Sequence, residues 1–187
     1  MRIIAGIAKG RRLKTLKGLN ERPTTDRVKE SIFAVLGQRV LEADVLDLFA
    51  GTGNLGIEAL SRGARSVLFI DKSARASRVI DENLHLTQFH DKAEVWVCDS
   101  YTGLRRLRSK GRIFDLIFAD PPYGRGFGVR TILCLDTSAV LKPEGVVVLE
   151  HPPDENLNCT LNSIEVIGNK TFGQTHIHFY QCAYKKE

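Results

Sequence analysis

The chain has 187 residues, of which 43% are hydrophobic and 26% charged, and a formal net charge of +5. That length and apolar fraction suit one domain with a substantial core. No apolar run reaches the roughly 18 residues of a membrane span, and the opening MRIIAGIAKGRRLK has no secretory-signal pattern; a soluble, cytoplasmic monomer is expected.

The charge is concentrated at the start. Residues 1–29 carry nine basic groups (Arg2, Lys9, Arg11, Arg12, Lys14, Lys17, Arg22, Arg27, Lys29) against Glu21 and Asp26, which makes this segment net +7 and the remainder net 2 negative. A basic cluster of this kind is the electrostatic footprint of a phosphate-backbone ligand, because each neutralised phosphate releases condensed counterions. A solvated tail with no partner is the plainer alternative. The segment lacks the apolar face a membrane-surface helix needs.

Pro23-Thr24-Thr25-Asp26 offers helix-starting chemistry, and Val28, Ile32, Val35 and Leu36 follow at helical spacing, so a helix is expected up to about Gly37. Strands and helices then alternate. Val45 to Phe49 reads as a strand, Asn54 to Arg62 as a helix stopped by Gly63, Ser66 to Ile70 as a strand, and a helix opened by Ser73 runs to about Leu86. Next come a strand at Glu94 to Cys98, a basic helical piece with Leu104 and Leu107, and a strand at Phe114 to Ala119. A helix through about Leu141 leads to Val146-Val147-Val148-Leu149, apolar enough for a strand buried on both faces. This rhythm predicts an α/β fold with a mostly parallel sheet. At the end, Ser163 to Ile167 and Thr175 to Tyr184 read as an antiparallel hairpin turned by Phe172-Gly173-Gln174, closing one edge. The organisation expected is a single domain over 1–187, with a basic extension plus helix over 1–37 and a cofactor-binding catalytic core over 38–187.

The four cysteines, Cys98, Cys134, Cys159 and Cys182, form no C-x-x-C pair and are read as reduced and structural. His176 and His178 share one strand face but have no further ligands at metal-binding spacing, so no metal site is expected.

Gly51-Thr52-Gly53-Asn54-Leu55-Gly56 is a G-x-G-x-x-G between a predicted strand and a predicted helix, the setting in which backbone amides approach a nucleotide-type cofactor. Asp71 closes the second strand 20 positions after Gly51 and can accept ribose hydroxyls. It fits NAD as well as S-adenosylmethionine. Asp47 discriminates: a carboxylate four residues before Gly51 repels a pyrophosphate but attracts the ammonium and sulfonium cations of S-adenosylmethionine, unless it merely caps amides of the turn. Asp99 ends the third strand, where it either meets the adenine amine or caps the helix beginning at Ser100. Phe49, Thr52 and Ser100 complete the expected cofactor-binding set.

The fourth strand delivers Asp120-Pro121-Pro122-Tyr123 to the carboxyl edge of the sheet, where open α/β folds bind ligands. Two prolines fix the loop and remove two amide donors. What remains is the Asp120 side chain and the Pro121 carbonyl as acceptors and Tyr123 as an aromatic plate. An exocyclic base amine is a poor nucleophile, its lone pair delocalised into the ring. Two acceptors can bind its N–H protons and orient it toward an incoming methyl while the aromatic stacks on the base. Asp120 can also take up the proton lost after transfer. A paired base would have to be flipped out to reach this loop.

Met1-Arg-Ile-Ile-Ala-Gly, Lys9-Gly10-Arg11-Arg12-Leu13-Lys14, Arg22-Pro-Thr-Thr-Asp-Arg-Val-Lys-Glu30 and Leu46-Asp-Leu-Phe-Ala-Gly-Thr-Gly53 resemble the bacterial 16S ribosomal RNA guanine-N2 methyltransferase family, which modifies guanine 966 of the small subunit. The likeness runs on through Asp120 to Tyr123, Phe172-Gly-Gln-Thr175 and Phe179-Tyr180, almost the whole chain. It implies a seven-stranded, Rossmann-like class I methyltransferase sheet, S-adenosylmethionine as donor, and the N2 amine of one 16S rRNA guanine as acceptor. It makes Asp120, Pro121 and Tyr123 catalytic and gives Gly51, Gly53 and Asp71 to the cofactor; Pro122 completes the expected catalytic quartet. It sets Arg22 to Arg27 beside the active site, with RNA contacts expected from Arg2, Lys9, Arg11, Arg12, Lys14, Arg22, Thr24 and Arg27. Asn54 stands where relatives have a small residue.

An adenine-N6 or cytosine-N4 nucleic-acid methyltransferase shares the catalytic loop. A DNA enzyme of that type needs a target-recognition region, and the 64 residues after Tyr123 leave no room for one. An NAD-dependent oxidoreductase explains the glycine loop but not Asp47, the D-P-P-Y loop or the basic segment.

Overall fold

Each amphipathic helix has one apolar face to bury, and a parallel sheet covered on both sides buries all of them. The computed structural model of the protein describes residues 1–16, 26–124 and 126–183. Seven strands form one sheet: β1 (Asp44–Asp47), β2 (Ser66–Asp71), β3 (Ala93–Val97), β4 (Phe114–Ala119), β5 (Leu141–His151), β6 (Ile164–Phe172) and β7 (Thr175–Cys182). Their order is β3-β2-β1-β4-β5-β7-β6. The first five are parallel, and β7 runs antiparallel between β5 and β6. The order reverses between β1 and β4, which places the ligand crevice at the carboxyl ends of those two strands.

Helices α1 (Asp26–Leu36), α2 (Asn54–Ser61) and α3 (Ala74–Thr87) cover one face, and α4 (Ser100–Ser109) and α5 (Phe127–Ser138) the other. Among the described residues, no helix is long and apolar enough to cross a membrane. Ser73 caps α3 by accepting the Ala76 amide at 3.2 Å, and Gly173, at φ +57°, turns the hairpin with Phe172 paired to Thr175. The third loop glycine sets how closely α2 lies on the sheet: a Cβ on Gly56 would come within 2.3 Å of the Phe69 ring.

The structure departs from the sequence expectation in two places. Val35 is 37% exposed, because the buried stripe of α1 runs through Val28, Lys29, Ile32, Phe33 and Leu36. The helix after the catalytic loop ends at Ser138, where Ala139 turns left-handed at φ +53°, and β5 begins already at Leu141. This early start is pinned by Lys142, whose ammonium donates to Asp44 at 3.0 Å and Asp115 at 2.8 Å. The expected hairpin closes one edge of the sheet, with β7 paired to β5 and β6 outermost.

The described part of the basic entry is a folded arm. It doubles back through an antiparallel bridge between Arg2 and Arg12, with the Ile3 amide donating to the Arg11 carbonyl at 3.0 Å and the Gly10 amide to the Ile3 carbonyl at 2.8 Å. Ile3, Ala8 and Leu13 are buried in the core on the α1–α3 face. Gly6 passes so close to α2 that a Cβ there would fall 1.8 Å from the Ser61 carbonyl oxygen.

Candidate functional site

Three chain reversals meet at the carboxyl edge, and each gets its shape from local chemistry. After β1, Phe49 takes φ +112°, a conformation disfavoured for a residue with a Cβ and typical of functional turns. Its amide and that of Ala50 both donate to the Ile70 carbonyl. Gly51 (φ +54°) and Gly53 (φ +80°) follow, Gly53 sitting at the start of α2. A Cβ on Gly51 would meet nothing within 4 Å, so this turn has open space in front of its backbone.

Two carboxylates hold the turn. Asp71 accepts the Gly51 amide at 2.8 Å on one oxygen and the Ser73 amide at 2.8 Å on the other, tying the glycine loop to the start of α3. Asp47 accepts the Gly56 amide at 2.9 Å, so it does bond an amide of the glycine loop and α2. It is only 5% exposed, and burial, reinforced by the nearby Asp71 charge, pushes its carboxyl up to about 7. A buried carboxylate whose charge is disfavoured in this way marks a place where a cation would be welcome. Asp99 is exposed and caps α4, accepting the Thr102 amide at 3.1 Å, with Ser100 buried behind it.

The third reversal is Asp120-Pro121-Pro122-Tyr123. Asp120 is half-buried, Pro121 buried, and Pro122 and Tyr123 exposed. The Tyr123 hydroxyl lies 3.1 Å from Glu150 Oε1, to which it donates, and 3.2 Å from the Thr175 hydroxyl. Burial, with the Glu150 and Asp120 charges, pushes this phenol up to about 12, so it remains a protonated donor. Its ring is therefore held by β5 and β7. Glu150 and Thr175 went unnoticed in the sequence as site residues. The available signal was an acid ending the apolar run Val146 to Leu149, and a threonine opening the next strand, both at the carboxyl edge.

The basic residues separate into two groups. Arg2, Lys9, Arg11, Arg12, Lys14 and Arg27 are exposed. Arg2 pairs with Asp26 at 2.7 Å and Lys14 with Glu82 at 2.8 Å, both solvent-screened contacts. Arg22 and Thr24 lie outside the described residues. Lys29 corrects the sequence reading of the basic cluster: it is fully buried and donates to the Arg2 carbonyl (2.6 Å), Asn54 Oδ1 (3.0 Å) and Glu58 Oε2 (3.0 Å). Buried Glu58 also accepts the Ile4 and Ala5 amides and Arg62. Asn83 completes the link, accepting the Lys14 amide at 2.7 Å and donating to the Thr52 carbonyl at 3.1 Å. The arm is thus fastened to the glycine loop at both Asn54 and Thr52.

On the opposite face of β5 and β7, His151 Nε2 and His178 Nδ1 are 2.7 Å apart as a hydrogen-bonded pair beside His176, and burial holds both His151 and His178 below the usual imidazole range.

The model of the family described as conserved hypothetical protein 95 matches residues 1–181. The chain is 36% identical over 181 residues to YlbH of Bacillus subtilis, covering 97% of this chain and 98% of that one. It is 35% identical over 182 residues to Ribosomal RNA small subunit methyltransferase D of Haemophilus influenzae, covering 97% and 93%. The solved structure of yhhF from Escherichia coli matches with a TM-score of 0.86 at 34% identity over 97% of each chain. The sheet order and the chain-long matches together show that this protein belongs to the conserved hypothetical protein 95 family, that of the ribosomal RNA small subunit methyltransferases D.

Proposed function

We propose that the chain is an S-adenosylmethionine-dependent methyltransferase that modifies the exocyclic N2 amine of a guanine in 16S rRNA of the small subunit, guanine 966 in the family. The observation that carries the reading is the convergence of an acid-lined glycine turn with the Asp120–Tyr123 loop on the two strands flanking the switch point.

The residues present fit this cofactor. Asp47, buried with its carboxyl near 7 and facing the Asp71 charge, disfavours a pyrophosphate and favours a cation, and the space before Gly51 admits a ligand against the backbone. Asp71, Phe49, Thr52, Gly53, Asp99 and Ser100 complete the cofactor set. When bound, S-adenosylmethionine supplies an electrophilic methyl on a sulfonium. Asp120 and the Pro121 carbonyl accept hydrogen bonds from the two amine N–H groups and turn the nitrogen lone pair out of conjugation, and Asp120 takes up the single proton released after methyl transfer. Pro122 stiffens the loop. Tyr123, its hydroxyl fastened to Glu150 and Thr175, presents its ring to the flipped base. Exposed Arg2, Lys9, Arg11, Arg12, Lys14 and Arg27, together with Arg22 and Thr24, bind the RNA.

Incubation with methyl-labelled S-adenosylmethionine and small subunits lacking the modification should place label on guanine N2; label on a ring carbon, a ribose or a protein would refute the reading. Cofactor affinity should also depend on pH. A bound cation lowers the Asp47 carboxyl from about 7, so binding below pH 7 releases a proton. The dissociation constant should fall by up to about tenfold per unit as pH rises toward 7 and level off above it. Asp47→Asn should flatten this profile in titration calorimetry, and a flat wild-type profile would dismiss the role of Asp47.

A further inference from the structure

Arg130 is one turn into α5, seven residues beyond Tyr123 and on the same carboxyl edge, and the proposed reaction gives it no task. Its guanidinium carbon lies 4.1 Å from the centroid of the Tyr101 ring. Tyr101 is buried, its hydroxyl is 3.2 Å from the hydroxyl of buried Thr131, and its neighbour Phe49 meets the ring edge-on at 6.1 Å, at an interplanar angle of 76°. Arg130 is thus stacked on a plate built from the loop after β1 and the first turns of α4 and α5.

A stacked guanidinium uses its face and leaves its fork of N–H donors at the edge. Among the described residues, Arg2, Arg62, Arg65 and Arg112 each give that fork to a carboxylate, whereas Arg130 makes no hydrogen bond to one. It is exposed. It lies in the first turn of α5. The helix amides are not the whole site: Glu155 already accepts the Val129 amide at 3.0 Å, which leaves the Arg130 fork as the free element.

The position identifies the anion. The folded arm with its exposed cations packs on the α1–α3 face, and Arg130 rides on the α4–α5 face. The two lie on opposite faces of the sheet whose carboxyl edge carries the Asp120–Tyr123 loop. A strand that delivers a flipped base to that loop carries a backbone phosphate on each side of the extruded nucleotide, and a cation on either face of the sheet can pair with one.

We infer that Arg130, stacked on Tyr101, binds a backbone phosphate of the RNA strand beside the target nucleotide and so positions that nucleotide over the catalytic loop. This rests on the proposed rRNA substrate. The test measures binding of unmodified small subunits to wild type, Arg130→Ala and Arg130→Lys as a function of salt, with methyl transfer measured in parallel. Arg130→Ala should weaken subunit binding and raise KM about tenfold, and its plot of log affinity against log salt should be shallower by about 0.7, one single-strand phosphate contact. Affinity for S-adenosylmethionine and the melting temperature should stay at wild-type values, and kcat should change by less than about twofold. Arg130→Lys, which keeps the charge but not the planar stack, should recover the salt slope and only part of the affinity.

An unchanged salt slope and KM in Arg130→Ala would overturn the inference. So would a parallel loss of cofactor affinity and thermal stability, which would make the stack a structural prop for Phe49. The binding arm decides on Arg130 whether or not label reaches guanine N2. Wild type that binds subunits but labels no rRNA would instead refute the proposed reaction.

Discussion

Asp120→Ala should lower kcat for methyl transfer to unmodified small subunits by about 10³-fold, with cofactor and subunit affinity within about threefold of wild type. The size follows from what the side chain does. The amine is unreactive because its lone pair is shared with the ring, and a positioned acceptor on one of its protons helps undo that sharing. Pro121 and Pro122 hold the acceptor in place whether or not the amine is present, so little is lost to reorganisation at the moment of reaction. Asp120→Asn separates the two roles given to Asp120. An amide keeps an acceptor oxygen but takes up no proton; activity within about tenfold of wild type would assign the effect to orientation, and a loss as deep as that of alanine would assign it to the charge. Wild-type kcat in Asp120→Ala would remove this loop from the chemistry.

Glu58→Ala should be the most damaging single change to the fold, costing on the order of 3–5 kcal/mol. The carboxylate is fully buried and accepts from Lys29, Arg62 and the amides of Ile4 and Ala5. Its removal strands a buried ammonium and leaves two amides without their acceptor. For a chain of this size that corresponds to a melting temperature lower by roughly 6–20 °C. Lys29→Met should cost less, because Glu58 keeps Arg62 and both amides. Glu58→Ala should also free the arm, so trypsin should cut within residues 1–14 of the variant under conditions that leave the wild-type arm whole. An unchanged melting temperature and a protected arm would show that the arm is held by Ile3, Ala8 and Leu13 alone.

The network explains why the basic segment was only partly legible. As a sequence, residues 1–29 present a run of cations, and all of them count equally toward a phosphate footprint. In the fold, Lys29 faces inward and serves as a brace between the arm and Asn54 of the glycine loop. Asn54, which reads as a departure from a small loop residue, is the partner that makes this bond possible. A similar limit holds for Asp47 and Asp71. Their order along the chain identifies them as acids near a nucleotide turn, but the structure also gives each of them backbone amides to hold, which is how the turn keeps its shape. Tyr123 offers a ring in either view; that its hydroxyl is fastened to residues 27 and 52 positions later was not readable.

Features that depend on near neighbours were legible in the chain alone. The two-residue and 3.6-residue periods gave the strand-helix rhythm, including Phe114–Ala119 to the residue. Glycines and serines set the turns, the D-P-P-Y quartet marked the catalytic loop, and the uneven charge pointed to a polyanion. Which cations face solvent, how burial raises Asp47, what braces Tyr123, and the stacking of Arg130 at the same edge emerge with the fold. The reason is physical. Periodicity and turn chemistry act within a few residues of the chain, whereas hydrogen-bond partners, desolvation and stacking are properties of space, set by groups that folding brings from distant positions.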